Sequence, residues 1–527
     1  MAKMGLLVVA MMGFGAGCGA MAPTGSYKEA SAPPPQAYAF PQQPQYAAAA
    51  SAAPAATMAV PVPAGEVQGT EAYKDYGVNP IVDPAKDRFS TFAIDVDTAS
   101  YAISRRKLLE GALPPYQSVR AEEYLNYFDY AYPAPKSGPF AVHFASAPSP
   151  FQKGHQLLRV ALQAKRIDAK DRKPVHLVYL VDTSGSMQSD DKIGLAKKSL
   201  RLLTDSLKPG DTVALCTYAG DVREVLAPTG IDQKGKILQA IDDLTSGGST
   251  AMASGLENAY RLASSTLVKG HVNRVVVLSD GDANVGATSH EEILKQIESY
   301  KEKGVTLSTV GFGSGNYKDT MMEQLADKGD GNYSYIDSAE QAKRVFSEQV
   351  GGMLEVVAKD VKIQVEFDPS VVQSYRLIGY ENRDIADKDF RNDKVDAGEV
   401  GAGHAVTAMY DVVLKSTTTS PVTVRLRAKG PDAKKDDAAV ESTFKMSTDD
   451  MFATFDKAPQ TFRFASAVTG FAEILRQSPA AKEYTLDDVA KVAIAAAGDQ
   501  RDQQEMVTLV KKAASLKGGS APAKTAN

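Results

Sequence analysis

The chain has 527 residues, of which 43% are hydrophobic, and only two cysteines, so ordinary hydrophobic cores can stabilise it without a disulfide framework. The formal net charge of −5 at pH 7 provides no basic surface of the kind that binds nucleic acid. Beyond the N-terminus, no apolar run is long enough to span a bilayer.

The N-terminus has the residue order of a bacterial lipoprotein signal. Lys3 precedes an apolar run over residues 5–14, and small residues then lead to Cys18. Because Gly15 replaces the usual Leu three residues before Cys18, ordinary secretion and an inner-membrane anchor stay as alternatives. We predict that residues 1–18 are a signal peptide with its lipidation cysteine, and that a lipid on Cys18 anchors the protein in a bacterial cell envelope. The residue after this cysteine does not favour retention at the inner membrane, which indicates the outer membrane.

Two segments have compositions that do not support a folded core. Residues 19–72 are rich in Ala, Pro, Gln and Ser and carry few charges, so they cannot bury enough apolar surface to fold. We predict that they form a disordered tether that holds the rest of the protein clear of a membrane surface. Residues 517–527 are predicted to be a disordered tail.

Residues 73–174 are predicted to form an N-terminal segment of helices and β-strands. Helical spacing of apolar residues predicts helices over residues 100–110 and 121–130. Alternating or β-branched patterns predict strands over residues 140–144 and 157–163.

Within this segment, Asp95 and Asp97 in the sequence FAIDVDT offer a candidate catalytic pair. Their spacing resembles the nucleophile motif of haloacid-dehalogenase phosphatases, which also bind Mg²⁺; in that reading Asp95 attacks phosphorus and Asp97 is the acid/base. That fold requires a parallel α/β domain around this strand, whereas the following residues are predicted to be helical and then β-rich. The alternative interpretation is that Asp97 or Thr98 caps the next helix.

Residues 175–352 alternate between strand and helix patterns. The continuous apolar run 176–181 is typical of a buried strand in a parallel sheet, and apolar residues recur at helical spacing over residues 192–207. The same alternation continues through residues 212–218, 235–244, 252–266, 274–278, 291–303 and 305–310. We predict a doubly wound, mostly parallel α/β sheet, which binds ligands beyond the carboxyl ends of its strands.

Five polar residues lie where loops leave these strands or where a helix begins: Asp182, Ser184, Ser186, Thr250 and Asp280. Two carboxylates and three hydroxyls are hard oxygen ligands that suit Mg²⁺, and Mn²⁺ or Ca²⁺ can replace it at an oxygen-only site. An isolated Asp-x-Ser-x-Ser motif is more often a capped turn. Because all five residues follow in the right order on the right elements, we predict a metal site.

These residues resemble the metal-ion-dependent adhesion site of the von Willebrand factor type A domain. The resemblance implies that the three hydroxyls coordinate the cation directly or nearly so, whereas Asp182 and Asp280 hold it largely through water. It also implies that a protein partner supplies an acidic side chain to the metal. We expect no enzyme activity, because the six histidines show no ligand spacing and neither Ser184 nor Ser186 has a His and Asp relay.

Two further features belong to this α/β segment. The sequence GFGSGN over residues 311–316 follows a strand like a dinucleotide fingerprint, but Asn316 occupies the last Gly position, which favours a loop beside the cation site. Cys216 lies within a predicted strand and is expected to be a buried apolar residue.

Residues 353–516 are predicted to complete a β-sandwich with flanking helices, into which the α/β domain is inserted. The predicted strands are 361–367, 374–379, 406–414, 422–428 and 440–445, and the predicted helices are 461–477 and 486–497, the latter continuing to about residue 516.

The sequences at residues 89–106, 113–133 and 378–393 resemble the bacterial YfbK-like group of von Willebrand A lipoproteins, and this resemblance covers nearly everything after the tether. It implies that IDVDTASY is a structural signature rather than a phosphatase motif. We therefore expect a non-catalytic, cell-envelope lipoprotein that binds a protein partner through Mg²⁺ for adhesion or scaffolding. An adaptor of an ATPase-linked envelope assembly is the alternative at the same site, and an Asp95-dependent phosphatase is the alternative with another site.

Overall fold

The computed structural model describes residues 71–168, 170–249, 252–265, 267, 270–281, 290–315, 317–434 and 436–518. All of them belong to one compact unit, Glu66–Asn527. The predicted signal peptide with Cys18, the tether up to residue 70 and the tail from residue 519 lie outside the described residues. In the part of the chain that is described, no helix combines the length and the apolar character needed to cross a membrane.

The described strands are, in chain order, β1 (Phe89–Ala93), β2 (Phe140–Pro148), β3 (Gln156–Ala164), β4 (Val175–Asp182), β5 (Thr212–Tyr218), β6 (Val222–Gly230), β7 (Val272–Ser279), β8 (Val305–Phe312), β9 (Tyr333–Ile336), β10 (Val356–Phe367), β11 (Val372–Ile378), β12 (Val400–Gly401), β13 (Ala405–Leu414), β14 (Val422–Lys429) and β15 (Val440–Lys445). The described helices are α1 (Ala99–Leu109), α2 (Ala121–Tyr127), α3 (Leu195–Asp205), α4 (Lys234–Asp242), α5 (Met252–Ser265), α6 (His290–Glu302), α7 (Asp319–Lys328), α8 (Ala339–Lys343), α9 (Val350–Leu354), α10 (Gln460–Leu475), α11 (Leu486–Ala496) and α12 (Arg501–Gly518).

The central sheet has the strand order β6-β5-β4-β7-β8-β9. All neighbouring strands are parallel except β5 and β6, which form an antiparallel edge. Along β4, Leu177 and Tyr179 pack towards α3 and α4, whereas Val178 and Leu180 pack towards α5, α6 and α7. Because helices cover both faces, the strand is apolar at nearly every position. The predicted doubly wound, mostly parallel fold is confirmed.

Two antiparallel sheets form a β-sandwich beside this layer. One has the order β1-β10-β14-β15, with β12 also paired to β10, and the other has the order β11-β13-β3-β2. Their facing side chains share one core that includes Phe92, Val160, Val365 and Tyr410. Since β1 to β3 precede the α/β layer in the chain and β10 to β15 follow it, the predicted insertion into a β-sandwich is confirmed.

A helical layer covers the outer face of the second sheet. Leu158 and Val160 of β3 point into the sandwich core, whereas Leu157 and Ala161 pack with α2, α10, α11 and α12. This alternation is the two-residue period of a strand buried on both faces. The predicted flanking helices therefore belong to the same folded unit as the sandwich.

Buried charges join the helical layer to the α/β layer. Arg120, which directly precedes α2, donates two hydrogen bonds of 2.6 and 3.2 Å to the carboxylate of Asp319 at the start of α7, and it also pairs with Glu123. Arg383, which follows β11, lies 2.8 Å from Asp327 at the other end of α7. The position of α7, and of the sheet edge it covers, therefore depends on residues from outside the α/β insertion.

The structure differs from the predicted elements in several places. β6, α7 and β9 were not predicted, and α2 ends at Tyr127 instead of residue 130. The helix predicted over residues 192–207 starts with a π-helical turn, Asp190–Gly194, before α3. Lys192 lies within this turn, and its side chain belongs to the site described next.

Candidate metal centre

The predicted ligands follow neighbouring strand ends. Asp182 is the last residue of β4, Ser184 and Ser186 lie in the loop after it, and Asp280 follows β7. Because β4 and β7 are parallel neighbours, the two carboxylates lie at the same edge of the sheet. Thr250, which would directly precede α5, lies outside the described residues.

Asp182 is completely buried and held by three hydrogen-bond donors. Its Oδ1 accepts the backbone N–H of Ser184 at 2.9 Å, and its Oδ2 accepts the hydroxyls of Ser279 at 2.9 Å and Tyr218 at 3.2 Å. Burial raises the pKa of Asp182, and the hydrogen bonds from Ser184 partly offset this rise. These donors fix the carboxylate in one orientation and share its charge.

The hydroxyls of Ser184 and Ser186 form the second part of the site. Their Oγ atoms lie 3.0 Å apart, with the Ser184 side chain buried and Ser186 half-buried. Two oxygen ligands at about 2.1 Å from Mg²⁺ and at right angles to each other are separated by about 3.0 Å. The hydroxyl pair therefore has the spacing of two adjacent vertices of an octahedron.

Main-chain hydrogen bonds hold the serine loop against the segment that leads to Thr250. Gly185 donates its N–H to the carbonyl of Gly248 at 2.9 Å, and Gly247 donates to the carbonyl of Thr183 at 2.7 Å. The serine loop and residues 247–248 are thus held together by backbone contacts, which do not depend on a bound ion.

Lys192 contributes a positive charge to the centre that the sequence did not lead us to expect. Its Nζ donates to Asp280 Oδ2 at 2.9 Å and to the carbonyl oxygen of Ser186 at 3.0 Å. Asp280 is completely buried, and the Lys192 side chain is 11% exposed. An ammonium group therefore neutralises one of the two carboxylates of the candidate centre.

Gly313 provides the space through which the Lys192 side chain runs. Its φ is +73°, and a Cβ atom at this position would lie 2.3 Å from Lys192 Cε. A side chain here would therefore displace the lysine. The sequence predicts that residues 311–316 lie beside the cation site, and Gly313 of this segment lies against the Lys192 side chain.

The same loop holds the first described residues of the chain. Gly315 donates its N–H to Glu71 Oε1 at 2.8 Å, and Ala72 donates its N–H to the carbonyl of Tyr317 at 3.1 Å. Glu71 also pairs with Arg106 of α1 at 3.0 Å. Glu71 and Ala72, the last two residues of the predicted tether, are thus attached beside the candidate centre.

The donor set fits a small, hard cation. Among the described residues there is no group of three or more His, Cys, Asp and Glu side chains that could hold a metal ion, and the candidate centre combines two carboxylates with hydroxyls. The hydroxyl spacing matches octahedral oxygen coordination, and an ammonium already lies against Asp280. The sequence missed Tyr218, Ser279 and Lys192 as members of this centre, although the first two lie at the ends of strands on the same sheet edge.

The second candidate pair, Asp95 and Asp97, occupies a different environment. Arg383 lies 3.2 Å from Asp95 and 3.5 Å from Asp97, and Asp97 Oδ1 accepts the backbone N–H of Tyr333 at 2.9 Å. Burial and the neighbouring Asp95 raise the pKa of Asp97. Thr98 is the first residue before α1 but makes no side-chain capping hydrogen bond, so the predicted helix cap is wrong. The carboxylates instead attach the N-terminal segment to β9 and to the residues after β11.

The surroundings of this pair also lack the feature that a haloacid-dehalogenase site requires. The strand before Asp95, β1, pairs antiparallel with β10 in the β-sandwich and is not part of the parallel sheet. Asp95 and Asp97 therefore lie where the β-sandwich meets the α/β layer, and the fold around them does not support the phosphatase interpretation.

The sequence matches three family descriptions. Residues 176–348 match "von Willebrand factor type A domain", residues 352–516 match "Uncharacterized protein YfbK, C-terminal", and residues 67–159 match "von Willebrand factor". Together the matched regions extend over most of the described chain.

Individual proteins show the same similarity. "Uncharacterized protein YfbK" of Escherichia coli K12 is 37% identical over 467 residues, which is 84% of this chain and 81% of that protein. Inter-alpha-trypsin inhibitor heavy chain H3 of Mesocricetus auratus is 24% identical over 270 residues, 46% of this chain but only 29% of that protein. Among solved structures, a von Willebrand factor type A protein from Catenulispora acidiphila aligns with a TM-score of 0.43 and 16% identity, covering 71% of this chain and 89% of that one.

Proposed function

The chain belongs to the YfbK family of von Willebrand factor type A domain proteins, and from this membership we propose that it is a cell-envelope lipoprotein that binds a protein partner through a divalent cation. Domains of this type are protein-interaction modules and are generally non-catalytic. The cation in this proposal is Mg²⁺, held by Asp182, Ser184, Ser186, Thr250 and Asp280.

The observation that carries the proposal is the pair of serine hydroxyls beside two buried carboxylates. Ser184 Oγ and Ser186 Oγ lie 3.0 Å apart at the sheet edge where Asp182 and Asp280 are buried. The hydroxyls are neutral ligands, and Asp182 is already engaged by three donors. A cation bound here would receive little negative charge from the protein, so it would attract a carboxylate from outside.

The chain's own residues have distinct tasks in this proposal. The two serines present oxygen atoms to the cation, and Tyr218 and Ser279 keep Asp182 in a fixed orientation. A cation held by these residues would supply the positive charge that attracts an acidic side chain of the partner. Asp280 and Asp182 are completely buried on the inner side of the site, which leaves the outer side for the partner.

The remaining assignments extend the same proposal. We place the signal peptide and lipidated Cys18 at residues 1–18, the tether at 19–72, the α/β interaction domain at 175–352 and the C-terminal domain at 353–516. The match to family descriptions over residues 176–348 and 352–516 supports the last two boundaries. Anchoring at the outer membrane rests on the sequence of the signal alone.

Affinity capture from an envelope extract tests the interaction. The protein is used as bait in Mg²⁺, in EDTA, and in Mg²⁺ with the substitution Asp182→Asn. Asp205→Asn is the matched control, because Asp205 is the last residue of α3 and its side chain is exposed and paired with Lys234. We expect a partner that is retained only by the wild type and the control in Mg²⁺. Equal capture under all conditions would show that the interaction does not use this centre.

A further inference from the structure

The charge of the candidate centre depends on Lys192. Among the described side chains of the centre, Asp182 and Asp280 each contribute a negative charge, and the ammonium of Lys192 contributes a positive one. With a dication bound, these groups leave one net positive charge, which one partner carboxylate neutralises. Without the lysine charge, the loaded centre would be neutral and would gain much less from a further carboxylate.

The position of Lys192 makes its charge effective. Its Nζ lies 2.9 Å from Asp280 Oδ2, and the side chain is largely buried. Charges that are this close and shielded from water interact strongly, whereas exposed pairs are screened. The ammonium therefore weakens the electrostatic attraction between Asp280 and a metal cation, even if the cation binds without displacing the ammonium.

Two contacts keep the ammonium in this position. It donates a second hydrogen bond to the carbonyl of Ser186, so it is fixed to the metal-binding loop as well as to Asp280. The lysine stem passes Gly313, where a Cβ atom would be 2.3 Å from Cε. A glycine with φ of +73° at this point leaves the path open.

We propose that Lys192 determines the specificity of the centre for an anionic partner group. It lowers the affinity of the protein alone for a divalent cation. Once a cation is bound, it leaves the centre with one net positive charge, which a carboxylate of the partner neutralises. The inference rests on the proposed function, since it requires that a cation binds at this centre.

Manganese binding tests the inference directly. The full chain with Cys18→Ser is titrated with Mn²⁺, and the free ion is measured by electron paramagnetic resonance with and without acetate as the carboxylate probe. Lys192→Met removes the charge, and Lys192→Gln removes the charge but keeps an N–H donor. Lys234→Met is the matched control, because Lys234 forms an exposed pair with Asp205.

We expect both neutral variants to bind Mn²⁺ at least tenfold more tightly than the wild type and the control. Acetate should increase the affinity of the wild type for Mn²⁺ but have little effect on the neutral variants. Both variants lose the charge but only Gln keeps an N–H donor, so equal effects in the two assign the change to the charge and not to the lost hydrogen bond. Thermal melts verify that each variant is folded.

The outcomes distinguish this inference from the proposed function. If Asp182→Asn weakens Mn²⁺ binding but the Lys192 variants bind like the wild type, or respond equally to acetate, the lysine inference is wrong and the cation site remains. If Asp182→Asn does not weaken Mn²⁺ binding in acetate, either alone or combined with Lys192→Met, the proposed function is wrong and the inference fails with it.

Discussion

Replacing Arg120 by Met should strongly destabilise the protein. The Arg120 side chain is 5% exposed, its partners Asp319 and Glu123 are fully buried, and Glu323 lies 3.9 Å away. Methionine keeps most of the apolar volume but leaves three buried carboxylates without this positive charge. Removing one partner from a buried ionic group typically costs about 3–5 kcal/mol. We expect a loss in this range in the free energy of unfolding at pH 8.5.

The size of the loss should depend on pH. Burial raises the pKa of Glu123 to about 8 and that of Glu323 to about 7, against the lowering effect of Arg120. Loss of Arg120 would raise both pKa values further, so the folded variant holds protons on these carboxyl groups near neutral pH. The unfolded chain does not hold them there, because its carboxyl groups have their ordinary pKa. Folding of the variant is therefore less impaired at low pH. The difference from wild type should be smaller at pH 5.5 than at pH 8.5.

Urea unfolding followed by circular dichroism at the two pH values measures both effects. Arg88→Met is the control, because Arg88 is 53% exposed and lies 3.6 Å from Glu366. An exposed pair of this kind contributes at most about 1 kcal/mol. A loss below about 1 kcal/mol for Arg120→Met at pH 8.5, or an equal loss at both pH values, would refute the argument that these buried ion pairs join the layers.

Two further substitutions test other parts of the structure. Gly313→Ala places a Cβ against Lys192 at a φ of +73°, so we expect about 1–2 kcal/mol less stability in urea and a rise in Mn²⁺ affinity. Gly315→Ala is the control, because its φ is +93° but no atom lies within 4 Å of the added Cβ. This variant should lose stability without changing Mn²⁺ affinity. For His404, burial and the charge of Arg274 lower the pKa to about 4. The unfolded chain therefore takes up a proton near pH 6.5 that the folded chain refuses until about pH 4, and this costs up to about 3 kcal/mol as the pH falls across that window. His404→Gln should flatten the decrease of the thermal midpoint over this range, and an unchanged slope would show that another group causes it.

Much of the fold could be predicted because the burial of a strand determines the pattern of apolar residues along it. The run 176–181 is buried on both faces, which gives the continuous apolar pattern of a central parallel strand. β6 was missed because it is an edge strand whose residues are mostly half-buried or exposed, so it has neither a continuous nor an alternating apolar pattern. Local patterns therefore predict the centre of the sheet better than its edge.

The chemistry of the site shows a similar division. Asp182, Ser184 and Ser186 are close in sequence, and Asp280 follows a recognisable strand, so their order on the predicted elements indicated them. The pairing of Lys192 with Asp280 spans 88 residues, and no local pattern predicts it. Asp97 was misinterpreted as a possible cap for the same reason, because its partner, the N–H of Tyr333, is 236 residues away.

The attachment of Glu71 has a mechanical consequence. A pull on the chain that precedes Glu71 enters the fold through its contacts with Gly315 and Arg106. The loop of Gly315 also includes Gly313, which lies against the stem of Lys192. Traction along the tether would thus load the loop beside the candidate centre before it reaches the β-sandwich. If a partner binds as proposed, the force along the predicted tether and the contact with the partner would act on the same loop.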